Sequence, residues 1–151
     1  MKNNLVELQH VYRRYTTDTQ EQTVLKDINL TIKEGEFITI MGASGSGKST
    51  LLYMMSGLDQ VSEGRVWIQN KALEELSEKD LSAFRLSHMG FVFQQVFLLK
   101  NLNVYDNILL PAAQLNNQNW QTLCTRVDEK MKQVGIYDLK DKLISNISGG
   151  Q

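Results

Sequence analysis

A run of consecutive residues near the first third of the sequence has the composition of a phosphate-binding loop. It reads Gly42-Ala43-Ser44-Gly45-Ser46-Gly47-Lys48-Ser49-Thr50, and its first eight positions fit the pattern G-x-x-x-x-G-K-[ST]. Glycines let successive backbone N–H groups turn towards an anion, and Lys48 adds a full charge for the β- and γ-phosphates. The Ser49 hydroxyl is a hard oxygen ligand suited to Mg²⁺, and Thr50 can hydrogen-bond near the α-phosphate. The loop predicts nucleoside triphosphate binding without separating kinases, GTPases and transport ATPases.

A strand before this loop and a helix after it are the elements that must position it. Residues 37–41, Phe-Ile-Thr-Ile-Met, favour a short buried strand. Residues 51–55, Leu-Leu-Tyr-Met-Met, favour a helix, and Gly57 is suited to end it. The order of strand, glycine-rich loop and helix therefore supports the phosphate-binding prediction.

Strand patterns dominate the first part of the chain. Alternating or apolar runs predict strands at residues 5–12, 24–32, 65–68 and 90–93, the last ending at Gln94, with a polar loop at 16–23. Between them, Ser77 and Asp80 form a capping box that predicts a helix to about Arg85.

Helical patterns dominate residues 103–144. Asn103 with Asp106 predicts a helix cap, and Pro111 predicts a kink or an end in that helix. A second helix is indicated by apolar residues at helical spacing, which we assign to the core: Leu123, Val127, Met131 and Val134.

Composition restricts the class of protein. The 151 residues are 42% hydrophobic and include one proline, as expected for a compact globular domain. The net charge of −1 and the absence of a basic run give no electrostatic case for nucleic-acid binding. Cys124 is the only cysteine, so an internal disulfide is impossible and a reducing compartment is expected. No apolar run suggests a secretory signal or a membrane span.

Three further features resemble motifs of the ATP-binding-cassette (ABC) ATPases, and they occur in the same order along the chain as in that family. The run Ile147-Ser148-Gly149-Gly150-Gln151 resembles the family's signature motif, which usually has Leu where this chain has Ile147. Gln94 lies where the family has its Q-loop glutamine, and Tyr15 lies where the family has an aromatic residue that stacks on adenine. The resemblance extends from Leu5 to Gln151.

The resemblance implies an α/β fold, a P-loop NTPase of ABC type that is incomplete. It consists of a β-rich N-terminal segment, the P-loop strand and helix, and then a helical subdomain. In this interpretation residues 1–151 form a single partial ABC ATP-binding domain. Residues 1–96 are its β-rich and P-loop part, 97–147 are the helical subdomain, and 147–151 begin the signature motif.

The resemblance also implies a role for each site residue. Residues 42–50 and Tyr15 bind ATP, Ser49 and Gln94 are ligands of Mg²⁺, and Gln94 and Lys48 act in catalysis, Gln94 by positioning the water. Ser148, Gly149, Gly150 and Gln151 contact the γ-phosphate held by a second ATPase subunit, so that ATP lies between two subunits in a head-to-tail dimer.

A finer similarity is to the branch of lipoprotein-releasing, macrolide-exporting and bacitracin-resistance systems. It depends on five segments, residues 41–49, 57–59, 90–94, 107–111 and 135–139. It implies an integral-membrane permease partner with a large extracytoplasmic domain, which the helical segment contacts. The chain would then be cytoplasmic, on the inner face of the cell membrane, and would drive export or release of a peptide, antibiotic or lipid-linked substrate.

The carboxylates that support hydrolysis are not found in the sequence. In the family, an apolar strand ending in Asp-Glu and a switch histidine follow the signature motif, and residues 127–129, Val-Asp-Glu, lie instead in a helical pattern. We therefore expect this chain alone to bind ATP and to hydrolyse it slowly or not at all. The alternatives are a P-loop small-molecule kinase and a truncated, non-catalytic interaction module.

Overall fold

The structure is a computed structural model, and it describes residues 4–17, 19–95, 97–115 and 119–148. The chain divides into two compact units, Met1–Met89 and Gly90–Gln151, each with its own hydrophobic core.

An antiparallel sheet forms the framework of the first unit. Its strands are β1 (Asn4–Thr16), β2 (Glu21–Lys33), β3 (Glu63–Ile68) and β4 (Lys71–Ala72), in the order β2-β1-β3-β4. The strands predicted at 5–12, 24–32 and 65–68 are confirmed. β1 and β2 are longer than predicted because they pair with each other as far as Thr16 and Glu21, which shortens the predicted loop.

Two helices pack on this sheet. Helix α1 (Lys48–Ser56) ends at Gly57 as predicted, and α2 (Glu78–His88) begins after Ser77, whose hydroxyl accepts a hydrogen bond from Asp80 N. A 3₁₀ turn, Leu73–Glu75, lies between β4 and α2. The core combines residues from all these elements: Leu8, Val11, Leu25, Met54, Val66, Ile68, Leu73, Leu81 and Phe84.

The second unit is helical, as predicted. Its elements are α3 (Val104–Gln114), α4 (Trp120–Gln133) and the 3₁₀ turns Tyr137–Leu139 and Ile144–Asn146. The Asn103 carbonyl oxygen Oδ1 accepts from Asp106 N at 2.7 Å, which confirms the cap. Helix α3 does not end at Pro111 but continues to Gln114. Leu123, Val127 and Met131 are buried as predicted, whereas Val134 is 68% exposed because it lies beyond the end of α4.

Two predicted strands are not formed. Residues 37–41 and 90–93 have no regular secondary structure, and Phe37, Met41 and Val92 are 94%, 85% and 102% exposed. A strand needs a hydrogen-bonding neighbour, and no strand among the described residues pairs with either segment. Both segments are apolar, as the sequence shows, but an apolar segment does not itself specify the neighbouring strand that would pair with it and bury it.

Candidate functional site

The glycine-rich loop of the first unit has a tightly curved backbone. Gly45 and Gly47 have φ angles of 80° and 86°, the left-handed region that residues with a Cβ rarely adopt, and Ser46 N donates to the Ala43 carbonyl at 3.3 Å. Gly47 also lies against β2, since a Cβ placed there would be 3.1 Å from Leu25 and 3.2 Å from Val24. The loop is therefore held against the sheet at the point where it enters α1.

The N-terminus of α1 carries an excess of positive charge. The first N–H groups of a helix have no acceptor within it, and they form the positive end of the helix dipole. Here Gly47 is the N-cap without a side-chain hydrogen bond, and the first turn has no acidic residue. Lys48, the first residue of α1, adds a cation at the end that already favours anions. This donor set fits a phosphate group.

The Lys48 side chain turns back over the loop. Its Nζ donates to the Ala43 carbonyl at 2.6 Å and lies 3.5 Å from Ser46 Oγ. The Lys48 ammonium and the N–H groups of the first turn of α1 therefore both lie at the glycine-rich loop. Ser49 and Thr50 continue this first turn of α1, and the Ser49 side chain is exposed.

Tyr15 is held in a polar cluster near the end of β1. Its hydroxyl donates to Asp59 Oδ2 at 2.9 Å, and Arg13 Nη2 donates to Asp59 Oδ1 at 2.8 Å. The Arg13 guanidinium also lies 4.3 Å from the centroid of the Tyr15 ring, and Tyr15 is 37% exposed. The ring is thus fixed in place while part of it remains accessible.

The sheet brings Tyr15 and the loop into the same region. Gly47 contacts Val24 and Leu25 of β2, and Leu25 is the register partner of Arg13 in β1, two residues before Tyr15. The first unit therefore contains both an aromatic ring and the glycine-rich loop, the two features that a nucleotide site combines.

The remaining predicted site residues lie in the second unit. Gln94 is exposed in a bend, next to Phe93, whose ring stacks with that of Phe91 at 5.7 Å. Ser148 is exposed after the last 3₁₀ turn, and Gly149, Gly150 and Gln151 lie outside the described residues.

A metal ion would depend on few protein ligands. Within the part of the chain that the structure describes, no three His, Cys, Asp or Glu side chains converge as a metal site. Mg²⁺ commonly binds through one or two protein oxygens together with substrate phosphates. A hydroxyl such as that of Ser49, beside a phosphate-binding loop, fits this mode.

Comparison with known proteins decides the family. The family model for ABC transporters matches residues 25–151. The chain belongs to the ABC transporter family. Among its ABC relatives is the bacitracin export ATP-binding protein BceA of Halalkalibacterium halodurans, with 43% identity over 151 residues, covering 97% of this chain and 58% of the relative. Another is the macrolide export ATP-binding/permease protein MacB of Bartonella quintana, with 40% identity over 149 residues, covering 99% of this chain and 22% of the relative.

A solved structure confirms the ABC-type α/β fold class. The dimeric ATP-binding cassette MJ0796, bound to ADP and Pi, matches with a TM-score of 0.89 and 36% identity. The match covers 97% of this chain and 64% of that one, so the present chain spans less than two thirds of each of these relatives. None of the helices in the described ranges is long and apolar enough to cross a membrane.

Two residues of this ABC chain that contact a predicted site residue were not assigned a role from the sequence. Arg13 and Asp59 both contact Tyr15, but 46 positions separate them along the chain. Asp59 is the last residue of the segment 57–59 that resembles the family, but the resemblance does not indicate what its carboxylate contacts.

Proposed function

We propose that this chain is the ATP-binding part of an ABC exporter subunit. The observation that carries the proposal is the N-terminus of α1. It lacks a capping side chain and an acidic residue, and it places Lys48 over a glycine-rich loop. A cation at the positive end of a helix is unfavourable unless an anion binds there. Nucleotide phosphates supply that anion.

Each of the proposed site residues contacts a different part of ATP. Residues 42–50 surround the phosphates, Lys48 neutralises charge on the β- and γ-phosphates, and Tyr15 stacks on the base. When bound with the nucleotide, Mg²⁺ neutralises further phosphate charge. Ser49 and Gln94 would hold the ion through their side-chain oxygens, and Gln94 would also orient the attacking water.

The names of two relatives support the proposed partners. BceA and MacB are export proteins by name, and MacB joins ATP-binding and permease functions in one chain. We propose that this chain acts with an integral-membrane permease that has a large extracytoplasmic domain, on the cytoplasmic face of the membrane. A peptide, antibiotic or lipid-linked molecule is the substrate class.

A second ATPase subunit completes the site. The dimeric state of the MJ0796 cassette supports a head-to-tail pair, in which residues 148–151 of one subunit contact the γ-phosphate held by the other. The proposed domain boundaries are residues 1–96 for the β-rich part, 97–147 for the helical subdomain, and 147–151 for the start of the signature motif.

Hydrolysis by the 151-residue chain is proposed to be very slow. Asp128 and Glu129 lie within α4 rather than at the end of a strand, so they do not provide the paired carboxylates that the family uses. A steady-state phosphate-release assay tests this. Turnover comparable with that of a full-length BceA-type protein would contradict it.

Two further measurements, of ADP formation and of co-purification, separate the alternative functions. The family match favours an ABC ATPase over a small-molecule kinase. ADP formation that depends on an added nucleoside monophosphate would support the kinase instead. Co-purification with a permease without any ATP binding would support a non-catalytic interaction module.

A further inference from the structure

Asp59 connects several groups through one carboxylate. Oδ2 accepts from the Tyr15 hydroxyl at 2.9 Å, and Oδ1 accepts from Arg13 Nη2 and from Gln60 N, each at 2.8 Å. The Arg13 and Asp59 side chains are only 19% and 28% exposed, so the pair is shielded from much of the solvent. Hydrogen bonds to a shielded carboxylate are stronger than those at an open surface.

Asp59 is also attached to the helix that begins at the phosphate-binding loop. Leu58 N and Asp59 N both donate to the Tyr53 carbonyl of α1, at 3.0 and 3.3 Å. One end of α1 therefore carries the loop, and the other end holds Asp59. Through Asp59, the position of the Tyr15 ring is therefore linked to the position of α1.

The contacts around Tyr15 determine which parts of it can meet a ligand. The Arg13 guanidinium covers one face of the ring at 4.3 Å, and the hydroxyl is committed to Asp59. Burial lowers the pKa of Arg13, but hydrogen bonding with Tyr15 and the charge of Asp59 outweigh it, so that the pKa is raised and the cation is maintained. Because Arg13 covers one face and Tyr15 is still 37% exposed, a planar ligand would stack on the face opposite Arg13.

We propose that Asp59, acting through Arg13 and Tyr15, is a positioning residue that fixes the base-stacking ring relative to the phosphate-binding loop. This rests on the proposed function. Because the Tyr15 hydroxyl is engaged, the nucleobase is recognised by its face and not by a hydrogen bond from this tyrosine. Loss of Asp59 frees the ring and weakens only the part of affinity that depends on the base.

The test compares ATP with inorganic tripolyphosphate, which lacks a base, in equilibrium titrations of the 151-residue chain. For Asp59→Ala we expect ATP affinity to fall about fivefold, a fraction of the usual base-stacking contribution. Tripolyphosphate affinity should stay within about twofold of the wild-type value, because the loop itself is unchanged. Tyr15→Phe keeps the ring but removes the hydroxyl link, so the double variant should be no weaker than Asp59→Ala alone.

Glu63→Gln provides the matched control. Glu63 accepts from Arg14 at 2.7 Å, and Arg14 lies 5.2 Å from the Tyr12 ring, a similar acid, arginine and tyrosine arrangement without Tyr15. It should leave both affinities unchanged. Equal losses for ATP and tripolyphosphate in Asp59→Ala, or no loss for either, would overturn the positioning role. Failure of the wild-type chain to bind either ligand would overturn the proposed function and this inference with it.

Discussion

Lys48 is placed where its charge does not help the fold. Favourable charges at a helix N-terminus are negative, yet α1 begins with a lysine and has no acidic residue in its first turn. Local choices that oppose stability tend to mark functional sites. The stability of the fold and the binding of phosphate should therefore respond differently to the loss of this charge.

Replacing Lys48 with Gln removes the charge and keeps a donor for the Ala43 carbonyl. We expect the free energy of unfolding, measured with urea in the absence of nucleotide, to stay the same or rise by about 0.3–1 kcal/mol. The control Lys26→Gln, on the exposed surface of β2, should change it by less than about 0.5 kcal/mol. A clear loss of stability in Lys48→Gln would show that the lysine serves the fold.

Gly47 is expected to be more restrictive than glycines of similar conformation. Gly35→Ala, with φ of 76° and open space around the Cβ, should cost about 1 kcal/mol from backbone strain alone. Gly47→Ala adds a contact with Val24 and Leu25 and should cost roughly 1 kcal/mol more. Urea unfolding of the two variants measures the difference. Equal costs would mean that the loop does not pack on β2.

Helix ends that depend on a few neighbouring residues were predicted correctly from the sequence. The caps at Ser77 and Asn103 and the stop at Gly57 depend on a few neighbouring residues, and all were found where the sequence placed them. The prediction of strands at 37–41 and 90–93 was wrong, because a strand forms only against a hydrogen-bonding partner, and that partner is often distant in sequence. Apolar periodicity identifies a segment that favours burial, but not the strand that buries it.

Phe37 therefore should contribute little to the stability of this chain. Phe37→Ser should change the free energy of unfolding by less than about 0.5 kcal/mol, because the side chain is 94% exposed. Met54→Ala, in the core of the first unit, should cost about 2–5 kcal/mol. Chemical denaturation compares them. A large cost for Phe37→Ser would indicate that residues 37–41 are buried in solution.

The packing of α3 against α4 predicts a sensitivity to alkali. Hydrogen bonding with Cys124, followed by burial, raises the pKa of Tyr105 to about 12. The folded state thus retains this proton above the tyrosine's ordinary pKa of 10.0. The stability that protonated Tyr105 contributes to the fold is fully present below pH 10, and it is lost as the pH rises through about 12. Between pH 9 and pH 11.5, the free energy of unfolding measured with urea should fall less steeply with pH in Tyr105→Phe than in the wild type. Equal slopes for the two proteins would contradict this role of Tyr105.

Over the whole molecule, the structure divides into two units, each with its own core. The sequence predicted a single partial domain with a β-rich segment, a P-loop segment and a helical segment, and those domain bounds stay a prediction. The loop at residues 42–50 and Tyr15 could be proposed as site residues from the sequence, because their spacing is local or typical of the family. The contacts of Asp59 with Arg13 and Tyr15 could not, because β1 and the end of α1 meet only after folding.

Calorimetric titration of the 151-residue chain with Mg·ATP measures whether the glycine-rich loop binds the nucleotide. We expect saturable binding of one ATP per chain, competition by tripolyphosphate, and at least about tenfold weaker affinity in Lys48→Gln, since a charged contact to phosphate is lost. Absence of saturable binding by the wild-type chain, or unchanged affinity in Lys48→Gln, would contradict it.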